Sequence, residues 1–451
     1  MSRLFEKEID RRVVVQGLLV LIYKVILDYS FAYYLIPFDS GTYNDGFDGI
    51  KYCNAWIAVG LIYLCINRLQ RNDVAQLMLN IMNIVSFIPL STVYAFEGFD
   101  ALCFNMVFFS FGAVAIIVDG IMPKGLRIQE FDRLRSSSVA YRISVMTSAI
   151  LIVVLFGFVY IENGFPRLNA LDFSQIYKTV RADLFLENKY ARYLYKLVVL
   201  IVAPYLVAVF HEKKMYGGVA VLSCALFLLF LYSGDKTTLF SIGVFLGIIF
   251  ISKCSPHDSS LISILASGFS AVCLSWVATG KYIIYSYLVR RVLFVPAHLK
   301  FVHYEYFLNN EKLGLSGTVL NKMLGLSQYN SSGRLFDESY TSAIGRMIGK
   351  PGTACNTGVL IEGFDRFGLV GFLIMGLLVV LLLLALRRFE NYTTHSVAVL
   401  STAYFFYSLN DSFLLGSDEF AFMTIMALSL LVGLPQEDET GWIEKRLRSR
   451  N

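Results

Sequence analysis

The run FGLVGFLIMGLLVVLLLLAL, residues 367–386, contains no charged side chain and ends on the pair Arg387 and Arg388. A bilayer core needs roughly 20 consecutive apolar residues in helical form, so this stretch reads as a membrane-spanning helix with a cationic end held at an aqueous face. The same pattern recurs outward along the chain. Apolar runs at about 13–36, 50–66, 74–95, 101–119, 143–161, 195–211, 215–232, 238–252, 261–280, 396–409 and 416–433 join it. They predict an all-α polytopic membrane protein of about 12 transmembrane helices.

Composition points the same way. The chain has 451 residues, 56% hydrophobic and 16% charged, with a mean hydropathy of +0.60; soluble domains carry roughly a quarter charged residues. The net charge of +5 would fit nucleic acid in a soluble protein, but here lysine and arginine set topology and no nucleic-acid partner is expected. Alternating the runs from a cytoplasmic N-terminus gathers Arg11, Arg12, Arg68, Arg71, Lys213, Lys214, Lys253, Arg387, Arg388 and the basic tail from Lys445 on one side. The short loops opposite hold only Lys51 and Lys236. Cytoplasmic loops carry the lysine and arginine excess, so both termini are expected in the cytoplasm. The first run follows Arg11 and Arg12, is long enough to span and lacks a cleavage site, which reads as a signal anchor.

Three blocks follow: 1–280 with nine helices and an outer loop at about 162–194, 281–366 as one large outer loop containing short helices, and 367–451 with three helices and a basic tail. The seven cysteines make no CxxC pair and read as small buried hydrophobes, with no disulfide expected. Lys24 and Asp28, four apart inside the first run, read as a structural ion pair. The acidic loop FDSGTYNDGFDGIKY offers Asp39, Asp45 and Asp48. No two aspartates lie two positions apart anywhere in the chain, so these read as solvated turn residues, with no metal or cofactor expected.

Candidate chemistry concentrates in the outer segments. In 162–192, Ile176, Val180 and Leu184 recur at helical spacing beside Lys178, Arg181 and Lys189, predicting an amphipathic helix on the outer membrane face, with Arg181 as a candidate anion contact. The tight turn YSGDKTTLF places Lys236 at the head of a helix, where donors can meet a phosphate. The large loop opens KYIIYSYLVRRVLFVPAHLKFVHYEYF from Lys281. Arg290 and Arg291 suit a pyrophosphate at the membrane surface, because guanidinium is permanently charged and forks onto phosphate oxygens. His298 suits proton transfer near neutrality. If helix continues past Pro296, Arg291, His298 and Glu305 share a face at heptad spacing; if Pro296 starts a new helix, only His298 and Glu305 do.

RRVLFVPAHLKFVHYEYF resembles the arginine-pair, proline, tyrosine-phenylalanine block of Wzy-type O-antigen (oligosaccharide repeat unit) polymerases. NTGVLIEGFDRFGLVGF, from Asn356, is similar to that family's asparagine, glycine and acidic block with a closing FGxxG, and SGDKTTL to its short serine and basic turn. The resemblance implies a GT-C-like glycosyltransferase of the bacterial inner membrane, active in lipopolysaccharide or other polysaccharide biosynthesis. Its substrate would be an undecaprenyl-pyrophosphate-linked oligosaccharide at the periplasmic face, and a chain-length regulator protein is a partner known to such systems. RLFDESYTSAIG, from Arg334 to Gly345, has the arginine and glycine eleven apart pointed to in some members.

On that basis Arg290 and Arg291 are expected to hold the leaving pyrophosphate, and His298, Glu305 or Glu362 to take the acceptor's proton. Tyr304, Arg334 and Asn356 are expected to orient sugars. An O-antigen ligase, or a non-enzymatic repeat-unit flippase, stands as the alternative.

Overall fold

The computed structural model describes residues 11–68, 73–120, 138–165, 188–234, 236–254, 258–316, 340–348, 355–390, 393–415 and 422–426, with the single residues 186, 318 and 321. Every regular element among them is helical. In order these are α1 (Arg11–Ser30, extended through Phe31–Leu35 and Ile36–Phe38), α2 (Gly49–Asn67), α3 (Val74–Met82, Asn83–Phe87, Ile88–Glu97), α4 (Ala101–Gly120) and α5 (Ser138–Asn163). Then come α6 (Lys189–Leu197, Val198–Val202, Ala203–Glu212), α7 (Tyr216–Ser233), α8 (Lys236–Cys254), α9 (Asp258–Thr279) and α10 (Tyr282–Tyr285, Ser286–Phe294, Val295–Asn309). The last four are α11 (Tyr340–Met347), α12 (Val359–Phe367), α13 (Leu369–Glu390) and α14 (His395–Ser408).

Among the described residues nine helices are long and apolar enough to cross a membrane: α1 to α7, α9 and α13. The chain is therefore a polytopic helical membrane protein. Two of the predicted runs are shorter: α8 has its apolar stretch at Ser241–Phe250, and α14 has 14 residues, about 21 Å of helix against a hydrocarbon core of roughly 30 Å. Of the run 416–433 only 422–426 lies among the described residues, and it is helical. Most of 162–192, including Arg181, and the middle of the large loop, including Arg334, fall outside them.

Four helices contain a proline that the chain passes without breaking. Pro37, Pro89, Pro204 and Pro296 each follow a π-helical turn by two residues, the turns being Phe31–Leu35, Asn83–Phe87, Val198–Val202 and Ser286–Phe294. Proline lacks an N–H and its ring clashes with the carbonyl four residues back. In each case the residue before the proline donates to the carbonyl five residues back: Ile36 to Phe31, Ile88 to Asn83, Ala203 to Val198 and Val295 to Arg290. The wider turn makes room for the ring and keeps the helix continuous.

The chain forms two compact units. The first comprises 1–123, 255–381 and 406–419. Within it α1 lies along α9, and α3 packs against α1, α2 and α10. The Tyr23 hydroxyl donates to the Ile84 carbonyl inside the π turn of α3 at 3.0 Å. Lys24 and Asp28 form the expected ion pair, fully enclosed, and both also reach the Thr92 hydroxyl on α3, at 3.0 and 2.8 Å. Asp48 is a helix cap rather than a solvated turn residue: its carboxylate accepts from the Ile50 and Lys51 amides at the start of α2. Lys51 in turn donates to the Gly98 and Phe99 carbonyls beyond α3. In the second unit, the Tyr195 hydroxyl bonds Ser233 and Thr238 across the turn between α7 and α8. Cys53, Cys65, Cys103, Cys224, Cys273 and Cys355 take part in no disulfide.

The FGxxG motif has a steric explanation. Gly368 (φ 66°) reverses the chain between α12 and α13, and the two helices then cross with Gly363 against Gly371, so closely that a Cβ on either would overlap the other's backbone. Gly371→Ala is expected to lower the thermal midpoint of the detergent-solubilised protein, overpacking of this kind costing about 1–3 kcal/mol. Gly157→Ala on α5, where the added methyl meets nothing within 4 Å, should leave the midpoint unchanged or raised. Equal midpoints for the two variants would contradict the backbone crossing.

Candidate functional site

The long helix α10 carries the candidate residues, and its π-helical stretch decides which of them align. A π turn takes about 4.4 residues and an α turn 3.6, so one of each spans eight positions instead of seven. Arg290, not Arg291, therefore comes into line with His298. Both face Tyr43, from the loop between α1 and α2: the Arg290 guanidinium lies 6.0 Å from its ring centre and the His298 ring meets it edge-on at 5.4 Å. The chain stays helical through Pro296, but an α-helical segment begins there at Val295, so His298 and Glu305 share a face at heptad spacing and Arg291 does not.

Each of these side chains is held by a carboxylate from another helix end. Arg290 donates to Asp39 through Nε at 3.0 Å and through a second, shorter bond from Nη2. Asp39, read from sequence as solvated, is thus an ion-pair partner, and the Thr42 hydroxyl also donates to it at 2.9 Å. His298 is buried, with Nδ1 at 3.0 and 3.1 Å from the two carboxylate oxygens of Glu97 at the end of α3. A carboxylate only accepts, so Nδ1 carries the hydrogen and Nε2 is left as the basic nitrogen of the neutral ring. Phe99 closes the other side, edge-on to His298 at 5.5 Å and stacked on Phe301 at 4.6 Å. Glu305, two turns further along α10, is half-buried; burial raises its pKa, His298 opposes this, and Asp100 and Glu97 reinforce it. Two pairs, Arg290 with Asp39 and His298 with Glu97, so stand where α1 and α3 end, with Glu305 and Asp100 within electrostatic reach.

A second set of polar contacts lies deeper and fixes the loop segments. The Val292 carbonyl is the one that Pro296 deprives of a donor, and the Asn410 amide supplies the replacement at 3.0 Å. The same Asn410 accepts from Lys300 at its Oδ1 (2.8 Å) and main-chain oxygen (3.1 Å). His303 bridges α12 and the chain before it, with Nδ1 2.8 Å from Asp365 and Nε2 2.9 Å from the Cys355 carbonyl. Since a carbonyl only accepts, Nε2 carries a hydrogen. Burial raises the Asp365 pKa, with His303 opposing. Glu362 accepts from Arg366 at 2.8 Å and from the Leu414 and Leu415 amides, while Arg366 donates to the Gly314, Ser316 and Leu415 carbonyls.

The candidates therefore separate. Arg290 and His298 meet across Tyr43, and Glu305 lies two turns along α10, within electrostatic reach of His298. Arg291 is exposed, its guanidinium 5.4 Å over the Tyr287 ring. Tyr304 is buried and packs on Phe364 at 4.5 Å, so its ring face is taken by protein. Glu362 is fully buried and committed to Arg366 and backbone amides. Asn356 is exposed beside Cys355, and Lys236 opens α8 in the other unit. Glu97 and Asp39 were not foreseen as partners; they lie 201 and 251 positions from His298 and Arg290. No group of three or more potential metal ligands occurs among the described residues.

Two buried ionisable groups give the fold a pH signature. Burial pushes Glu362 up to about 7, although Arg366 and the two amides oppose it. Raised above the ordinary 4.5, it contributes stability that is full below that value and lost as pH rises through about 7. Burial pushes Lys300 down to about 7, opposed by Asp411. Its contribution is full above the ordinary 10.5 and lost as pH falls through about 7. Glu362→Gln should remove a fall in stability along the acid limb, from about pH 4.5 to 7, and Lys300→Met a rise along the alkaline limb, from about pH 7 to 10.5, each on the order of 1–3 kcal/mol. Unchanged limbs in both variants would show that neither group titrates in the fold.

No protein-family model, no curated protein and no solved structure matches the chain.

Proposed function

We propose that the chain is a lipid-pyrophosphate-dependent polysaccharide polymerase, a glycosyltransferase joining undecaprenyl-pyrophosphate-linked oligosaccharide repeat units at the periplasmic face of a bacterial inner membrane. The reading includes a GT-C-like fold of twelve spans, with α8, α14 and 416–433 completing the nine. The observation that carries it is the meeting of Arg290, held by Asp39, with His298, held by Glu97, across Tyr43. The lysine and arginine bias of the loops supports a periplasmic location for this end of the helices.

The chemistry follows from these groups. The acceptor sugar's hydroxyl oxygen attacks the anomeric carbon of the growing chain. The bond from that carbon to the pyrophosphate oxygen breaks, and undecaprenyl pyrophosphate leaves with the bonding pair. The hydroxyl proton passes to Nε2 of His298, whose imidazolium is stabilised by Glu97. Arg290 forms the positive edge of the site, and Arg291, exposed one residue on, meets the diphosphate as its charge develops. The pyrophosphate is already an activated leaving group, so the step uses no nucleotide.

In cells carrying Arg291→Ala or His298→Ala at normal membrane levels, surface glycan is expected to stop at one repeat unit. Normal long chains from Arg291→Ala would sink the assignment. Loss of all surface glycan, single units included, would favour transport over polymerisation.

A further inference from the structure

Along the first part of α10 the exposed side chains form one stripe. Lys281, Ile283, Ile284, Tyr287 and Arg291 face outward, while Tyr285, Val289, Leu293 and Phe294 are buried behind them. The positions 283, 287 and 291 recur every fourth residue, about one helical turn apart. Ile283 is 72% and Ile284 59% exposed, values that an apolar side chain reaches in a membrane protein where hydrocarbon, not water, covers it. Arg291 ends the stripe: from Val292 to Phe307 no residue of the helix is exposed.

The outer end of α1 continues this surface. Phe38 is exposed on α1 and packs on Tyr282 at 4.2 Å, and Tyr33 is 70% exposed one helical turn before it. Aromatic side chains of this kind sit at headgroup level. A continuous apolar surface thus leads to an exposed guanidinium, next in the chain to Arg290, which Asp39 holds. An apolar track that ends on a cation fits one kind of occupant: a long hydrocarbon chain carrying an anionic head. Resting on the polymerase reading, we infer that the stripe Ile283–Ile284–Tyr287 holds the polyprenyl chain of the lipid-linked substrate while its diphosphate reaches Arg291. The substrate would then reach the site sideways from the bilayer.

The test uses full-length protein in proteoliposomes and two donors with the same oligosaccharide diphosphate, one on an undecaprenyl chain and one on a water-soluble geranyl chain. The double variant Ile283→Asp, Ile284→Asp is compared with wild type at equal amounts of inserted protein. The expected result is a fall of about tenfold or more in kcat/KM for the undecaprenyl donor, a factor equivalent to about 1.4 kcal/mol, with the geranyl donor unchanged. The geranyl rate also reports that the variant is folded. Equal loss on both donors, or loss on neither, would overturn the inference and leave the stripe a membrane anchor only. A wild-type protein that elongates neither donor would overturn the polymerase reading itself, and the inference with it.

Discussion

Charge drawn into a mostly apolar helix bundle must be paired, because an isolated buried ion costs several kcal/mol even after relaxation. That constraint organises the first unit. Arg290 takes Asp39, Arg366 takes Glu362, Lys24 takes Asp28 and Thr92, and Lys300 finds Asn410. Most of these partners come from separate stretches of chain, so satisfying them folds the polar segment between α9 and α13 onto the ends of α1, α3 and α4. The described part of that segment packs against the helices. Its first helix is built into them.

The wide turn before Pro296 decides which side chains of this packing come into line. An unbroken α-helix would have aligned Arg291 with His298 and left Arg290 on another face. The extra residue per turn instead seats Arg290 in line with His298, both against Tyr43, and turns Arg291 outward. Asn410 then answers the carbonyl that Pro296 leaves open, which ties the segment after α14 to the same helix. One proline thus sets the register of the site and one of the contacts that lock it.

Much of the architecture was legible in the sequence because lipid imposes a simple rule: apolar runs of sufficient length must be helices. Nine of the predicted spans follow from that rule alone, and Lys24 with Asp28 followed from their spacing. The candidate site was legible only in half. Arginine, histidine and proline on α10 stood close together in the chain, but Glu97 and Asp39 were read past, since pairings over 201 and 251 positions leave no local trace. Tyr304 and Glu362 carried the right chemistry for a site yet are consumed by packing and by backbone amides. The register shift was also hidden, although each of the four prolines that a helix passes has the same π turn before it.

The most direct measurement is a structure of the protein in lipid with an undecaprenyl diphosphate headgroup bound. The account predicts diphosphate density against Arg291 at the edge of Arg290, with the sugar-bearing oxygen on the His298 side of Tyr43. Density at the α7–α8 turn, or none near α10, would contradict it.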